Sequence, residues 1–193
     1  MTAEASVFVI TGPSGVGKGT LIRKLRERIP ELELSVSATT RKPRPGELDG
    51  VSYHFLSAAE FQHRIDEGDF LEWANYSGNR YGTLRSELLK RVREGAPVVL
   101  EIEVQGARQV REKLPEAIQV FIAPPSRETL RIRLEGRGTD TPDQVRKRLD
   151  SAGLELAAQS EFAHVVVNDQ LDAAVDELAE ILAGRCKHGR DAS

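Results

Sequence analysis

The residues best suited to chemistry lie near the N-terminus, in Gly12-Pro13-Ser14-Gly15-Val16-Gly17-Lys18-Gly19-Thr20. Gly12, four residues, then Gly17-Lys18 is the spacing of a phosphate-cradling loop. Backbone N–H groups can wrap an anion only where the chain turns tightly and no side chain intrudes. A helix that starts at once adds unpaired donors and partial positive charge at its first turn. Lys18 brings a mobile ammonium for β- and γ-phosphates. Position 19 is Gly where Ser or Thr usually places a hydroxyl near Mg²⁺, which leaves Thr20 as the candidate for that contact.

Three other groups stand out. Arg41 and Arg44, in a loop stiffened by Pro43 and Pro45, present guanidinium forks suited to a phosphate, and Tyr53 and Tyr81 offer hydroxyl donors. Taken alone, such an arginine pair is as readily a solvated basic loop. Glu101 and Glu103 alternate on the apolar run Val98-Val99-Leu100-Glu101-Ile102-Glu103-Val104, so both face one side of a strand. Charge there needs compensation from a metal, its waters, a ligand's amino group or an arginine. Finally, Arg131, Arg133, Arg137, Arg146 and Arg148 cluster between positions 126 and 160. Of these, Arg131 and Arg146 suit ion pairs with glutamates on solvated helix faces.

The elements that must position these groups follow from periodicity. Val7 to Ile10 reads as a buried strand, and Leu21, Leu25 and Ile29 recur on one face of a helix that Pro30 ends. Strands are expected at Glu31 to Ser37, Val51 to Leu56, Asp69 to Tyr76, Asn79 to Gly82, Pro97 to Val104, Val120 to Ala123 and Val165 to Val167. Between them, helices carry cap signals at Ser57, Thr83, Ser126 and Thr141-Pro142. Short apolar strands alternating with amphipathic helices indicate an α/β fold around a parallel core sheet flanked by helices. Two stretches break the alternation: a hairpin-like region from about Ser35 to Lys90, and the arginine-rich helical pair. Both suit insertions over the carboxyl ends of the core strands.

Bulk properties narrow the classes. The 193 residues suit one compact domain, and 30% charged residues with a net charge of −3 give a soluble, mixed surface. No global basic field for nucleic acid is present. The single cysteine excludes an internal disulfide, and no run is long enough for a signal peptide or membrane span. The expectation is a cytoplasmic protein that binds small molecules, with no nucleic acid and no membrane among its partners.

A glycine loop alone does not separate ATPases, GTPases and kinases. The remaining motifs do: GPSGVGKG, SATTRKPRPGE, DFLEWA, GNRYGT, two acids followed by QGA, RLEGRG and VND. Over nearly its whole length the sequence resembles the guanylate kinases, which move a phosphoryl group from ATP to GMP with Mg²⁺. The resemblance implies the P-loop nucleoside-monophosphate-kinase fold. Residues 1–34, 91–125 and 161–193 would form the ATP-binding core, 35–90 a small mixed-β GMP-binding region, and 126–160 a helical lid. It implies that Gly12 to Thr20 hold ATP, with Asn168 near its adenine. It also implies that Arg41, Arg44, Tyr53 and Tyr81 hold the GMP phosphate, that Ser37, Glu72 and Thr83 read the base, and that Glu47 belongs to the same set. Lys18, Arg133, Arg137 and Arg148 would act on the transferring phosphates. The family pattern has Asp where this chain has Glu101 and Glu103; by resemblance Glu101 serves the metal, directly or through water, and Glu103 the base.

Base reading can also be argued from the chemistry. Guanine's N1–H and N2–H₂ donate beside an O6 acceptor, so a carboxylate such as Glu72 suits both nitrogens. Adenine would leave that carboxylate unpaired, and such sites discriminate by roughly 10⁴- to 10⁵-fold in favourable cases. An interaction module without catalysis is the other class. The retention of Gly12, Gly17, Lys18, Arg133 and Arg137 argues against it.

Overall fold

The computed structural model describes residues 7–76, 78–136 and 142–188, with no side-chain detail for 142–144, 147 and 185–188. Arg137 and Thr141 therefore lie outside the described residues. In chain order the elements are β1 (Val7–Thr11), α1 (Lys18–Arg28), β2 (Glu33–Leu34), β3 (Ala38–Thr39), β4 (His54–Phe55), α2 (Ala58–Asp66), β5 (Phe70–Tyr76) and β6 (Asn79–Leu84). Then follow α3 (Arg85–Arg93), β7 (Val98–Glu101), α4 (Val104–Lys113), β8 (Ile118–Ala123), α5 (Arg127–Glu135), α6 (Pro142–Ala157), β9 (His164–Val167) and α7 (Leu171–His188).

A five-stranded sheet in the order β2-β7-β1-β8-β9 is parallel throughout. Its central strands are apolar on both sides because helices cover both faces. Alternation along β1 sends Phe8 and Ile10 against Leu21 and Leu25 of α1 and Leu178 of α7. Val7 and Val9 point the other way, into a cluster with Leu100, Val110 and Phe121. Leu130 and Leu134 of α5 and Ala152 of α6 join the first cluster, so the arginine-rich pair is seated on the core through its apolar face.

The second sheet, β4-β3-β6-β5, is mixed and small. Its own core consists of Ala38, Phe61, Phe70 and Leu84, with the Phe61 and Phe70 rings stacked at 4.4 Å between centroids. The α/β class with a separate mixed-β region is thus as expected, but two strands near the junction are shorter than the sequence suggests, while β6 runs on to Leu84. Of Glu31 to Ser37 only Glu33–Leu34 joins the main sheet, and of Val51 to Leu56 only His54–Phe55 joins the small sheet, with Tyr53 in an isolated bridge to Asp49. The chain from Ser35 to Thr39 has to pass from one sheet to the other, which limits ladder length in each.

Most caps hold. Ser57 Oγ accepts from Glu60 N at 3.1 Å, and Ser126 Oγ from Thr129 N at 3.0 Å. Thr83 does not cap α3. It stays within β6, its hydroxyl bonded elsewhere, and Leu84 takes the cap position without a side-chain bond. Strand β7 also ends early: Glu101 is its last residue, and Glu103 is the residue preceding α4.

Candidate functional site

The glycine loop leaves β1 and enters α1 at Lys18, at the carboxyl end of the sheet where such folds bind ligands. Gly12 and Gly17 sit at φ 140° and 100°, a region that side chains disfavour. Space demands glycine as well. A Cβ on Gly12 would stand 2.3 Å from the Ile122 carbonyl oxygen, and one on Gly17 would stand 2.6 Å from Asn168 Nδ2. Buried Asn168 donates from Nδ2 to the Val16 carbonyl at 2.8 Å, which ties it to the loop.

Lys18 is buried, and its ammonium turns back to the Gly12 carbonyl. A cavity of about 380 Å³ opens over the loop, bounded by Ser14, Lys18, Thr20, Tyr76, Glu101 and Glu103. A second, of about 250 Å³, lies beside it under the small sheet and is lined by Ser37, Tyr53, Glu72 and Tyr81. Lys18, Tyr76, Glu101 and Glu103 line both.

Glu72 sits at the floor of the second cavity, 2% exposed, and accepts from Thr83 Oγ1 at 2.7 Å. Burial pushes its carboxyl up to about 7, against the opposing pull of the Thr83 hydrogen bonds. At the other end, Arg41 forms a two-point ion pair with Glu47 at 2.9 and 2.8 Å and lies over the Tyr53 ring at 5.2 Å from its centroid. Glu47 also accepts from Arg44 N at 2.6 Å. Glu47 thus holds the arginine loop, whereas the Arg44 side chain is exposed. The Tyr53 and Tyr81 rings meet edge to face, 6.1 Å apart.

Glu101 and Glu103 both line the two cavities, although Glu103 lies beyond the end of β7, where strand alternation does not place it. Burial raises the Glu101 carboxyl, Lys18 opposes the shift, and Glu103 adds to it. Glu101 also faces Gly19: a Cβ there would stand 3.9 Å from Oε1, so position 19 has room for a larger residue. No cluster of three or more metal-ligating side chains exists among the described residues. One carboxylate beside Lys18 and the Thr20 hydroxyl nevertheless suit Mg²⁺, which takes one or two protein oxygens and the rest from phosphates and water.

The arginine-rich pair contributes differently. Arg133 donates to the carbonyls of Val16 (3.2 Å) and Asn168 (2.9 Å), behind the loop. Arg131 pairs with Glu128 and Glu135 on an exposed face, as expected. Arg148 lies close enough to Tyr76 to act on its phenol, which burial raises and the Ser14 hydrogen bond and Arg148 charge pull back.

Tyr76 and Glu155 were not singled out by sequence. Glu72, Ala74 and Tyr76 alternate along β5 and all line the second cavity, so the strand period was the signal for Tyr76. Glu155 of α6 receives the Ser14 amide at 3.2 Å, across 141 positions of sequence. Burial and the neighbouring Glu103 charge push its carboxyl up to about 8. Its signal was the spacing Arg148, Ala152, Glu155 along one helix face.

Comparison with known proteins decides the family. The family model described as guanylate kinase matches residues 4–185. This chain belongs to the guanylate kinase family. A guanylate kinase of Mycolicibacterium paratuberculosis is 52% identical over 100% of this chain and 87% of its own length. One from Synechococcus is 57% identical over 88% of this chain and 90% of its own. The crystal structure of guanylate kinase from Anaplasma phagocytophilum superposes with a TM-score of 0.77 at 30% identity, covering 95% of this chain and 87% of that one. Among the described residues no helix is long and apolar enough to cross a membrane.

Proposed function

We propose that this chain transfers the γ-phosphoryl group of ATP to GMP, giving ADP and GDP, with the donor on the glycine loop and the acceptor under the small sheet. The observation that carries the reading is the pair of adjoining cavities that share Lys18, Tyr76, Glu101 and Glu103. A triphosphate on the loop and a monophosphate between Arg41, Tyr53 and Tyr81 meet beside Lys18. Residues 1–34, 91–125 and 161–193 then serve as the donor core, 35–90 as the acceptor region and 126–160 as the lid.

Phosphoryl transfer asks the protein for positioning, charge neutralisation and exclusion of water. The GMP phosphate is largely dianionic at neutral pH, so an oxygen of it attacks the γ-phosphorus without a general base while the bond to the β-phosphate oxygen breaks. Loop amides and Lys18 take up charge on the β- and γ-phosphates. Mg²⁺, when bound, neutralises charge on those oxygens, and Glu101 and Thr20 are the residues to hold it. Arg148, beside Tyr76, reaches the junction from the lid. Arg133, tied to Val16 and Asn168, fixes the back of the loop. Its place among the phosphate-binding arginines, with Arg137, requires α5 to shift when substrates bind.

Guanine is read by Glu72, whose carboxylate accepts from N1–H and N2–H₂ while Thr83 braces it, with Ser37 and Glu103 at the sides of the same cavity. Turnover measured with ATP and each of GMP, AMP, CMP and UMP tests the reading. GMP is expected to lead by several orders of magnitude, roughly 10⁴-fold in kcat/KM. Faster turnover of any of the others overturns it.

A further inference from the structure

Glycine 106 lies in the first turn of α4, directly behind Glu72. Its backbone is helical, so no unusual dihedral calls for glycine, and alanine is the better helix former at such a position. The reason for glycine is spatial. A Cβ here would stand 2.3 Å from Glu72 Oε2 and 3.0 Å from its Cδ. Neither partner can withdraw cheaply. Glu72 is buried and held on its other oxygen by Thr83. The helix is bound along β5 by two bonds between Gln109 and the Trp73 backbone, and by Lys113 Nζ donating to the Leu71 carbonyl at 2.6 Å. Gly106, Gln109 and Lys113 form one face, and that face fixes the helix-to-strand distance on either side of Glu72.

We propose that Gly106 is a specificity-determining residue: its missing side chain sets the depth at which the Glu72 carboxylate meets the guanine edge. A methyl group at 106 pushes the carboxylate forward into the base cavity and spoils its two-nitrogen geometry. The phosphate ends of both substrates, which Gly106 does not approach, are untouched. The inference rests on Glu72 reading the base, as proposed above.

The test compares Gly106→Ala, Glu72→Ala and the double variant, using GMP, inosine 5′-monophosphate (which lacks the 2-amino group) and ATP, with thermal melts alongside. Gly106→Ala should lose roughly 10- to 100-fold in kcat/KM for GMP and most of the preference over the inosine nucleotide, with the KM for ATP unchanged. In the Glu72→Ala background the closest contacts are gone, so the same change should cost no activity and should no longer lower the melting temperature. A Gly106→Ala protein that fails to fold alone but is silent in the double variant supports the same coupling. A Gly106→Ala cost that persists without Glu72 marks a merely structural glycine and overturns the inference. So does a Gly106→Ala enzyme that retains the wild-type preference while Glu72→Ala loses it. If Glu72→Ala itself keeps the preference, the reading of Glu72 falls, and this inference falls with it.

Discussion

The two halves of the site are built from different materials. The proposed donor cradle is backbone: amides of the glycine loop, where Gly12 leaves no space for a side chain against the Ile122 carbonyl, backed by the largest apolar cluster among the described residues. The proposed acceptor cavity is lined mostly by side chains, among them Ser37, Tyr53, Glu72 and Tyr81, with Thr83 bonded to Glu72, beside strands as short as two residues over a core of four. Backbone donors recognise a phosphate that every nucleoside triphosphate shares. Discrimination among bases requires side chains with particular donors and acceptors, and it is these that the lightly packed region supplies. On the proposed reading, the more deeply packed half binds the common group and the less deeply packed half reads the distinguishing one.

Lys18→Ala gives the largest effect that separates the halves. The ammonium is the one charged side chain of the cradle that lines both cavities. Its removal should lower kcat by about 10³-fold, because charge stabilisation at the transferring group is lost while both binding surfaces remain. GMP affinity, measured by calorimetry without ATP, should change far less. An equal loss in GMP affinity would mean that the two halves are not separable.

The contrast also explains what could be read from the sequence. The cradle is contiguous, so nine successive residues carry its spacing, and the structure returns loop and helix at the expected positions. The proposed acceptor cavity draws on β5, β6 and the segments before β3 and β4, whose juxtaposition no local pattern encodes. Resemblance to a known family supplied Glu72 and Thr83; spacing supplied neither. Thr83 shows the cost of local logic. A threonine before a helical run looks like a cap, yet its hydroxyl serves Glu72. Glu155 was missed for the same reason: its meaning lies in a contact with Ser14 across the fold.

A second effect, roughly tenfold, tests whether the acceptor side depends on the ionisation of Glu72. Glu72 titrates near 7 because burial penalises its charge, and guanine's donors require the charged form. At pH 6 roughly one molecule in ten carries Glu72 ionised, so GMP should bind about tenfold more weakly there than at pH 8. Proton release should accompany binding, visible by calorimetry in buffers of different ionisation enthalpy. Stability runs the opposite way. The folded-state value exceeds the ordinary 4.5, so the contribution is complete below that value and is lost as pH rises towards about 7. Glu72→Gln should flatten both profiles. A GMP profile that survives in Glu72→Gln assigns the titration to another group.

The smallest effect sharpens the comparison within the acceptor cavity, between its phosphate end and its base end. Glu47 holds Arg41 at two points and takes the Arg44 amide, and Arg41 in return draws the Glu47 carboxyl below the usual range. Glu47→Gln keeps an acceptor but removes the charge, so Arg41 should stay in place with less restraint. The pair restrains Arg41 and does not itself touch the base, so the KM for GMP should rise by about three- to fivefold with kcat nearly unchanged. The ratio of GMP to inosine 5′-monophosphate turnover should not move, because both nucleotides present the same phosphate to Arg41. A change in that ratio would show that the arginine loop also governs how Glu72 meets the base, and the two ends of the cavity would then have to be treated as one.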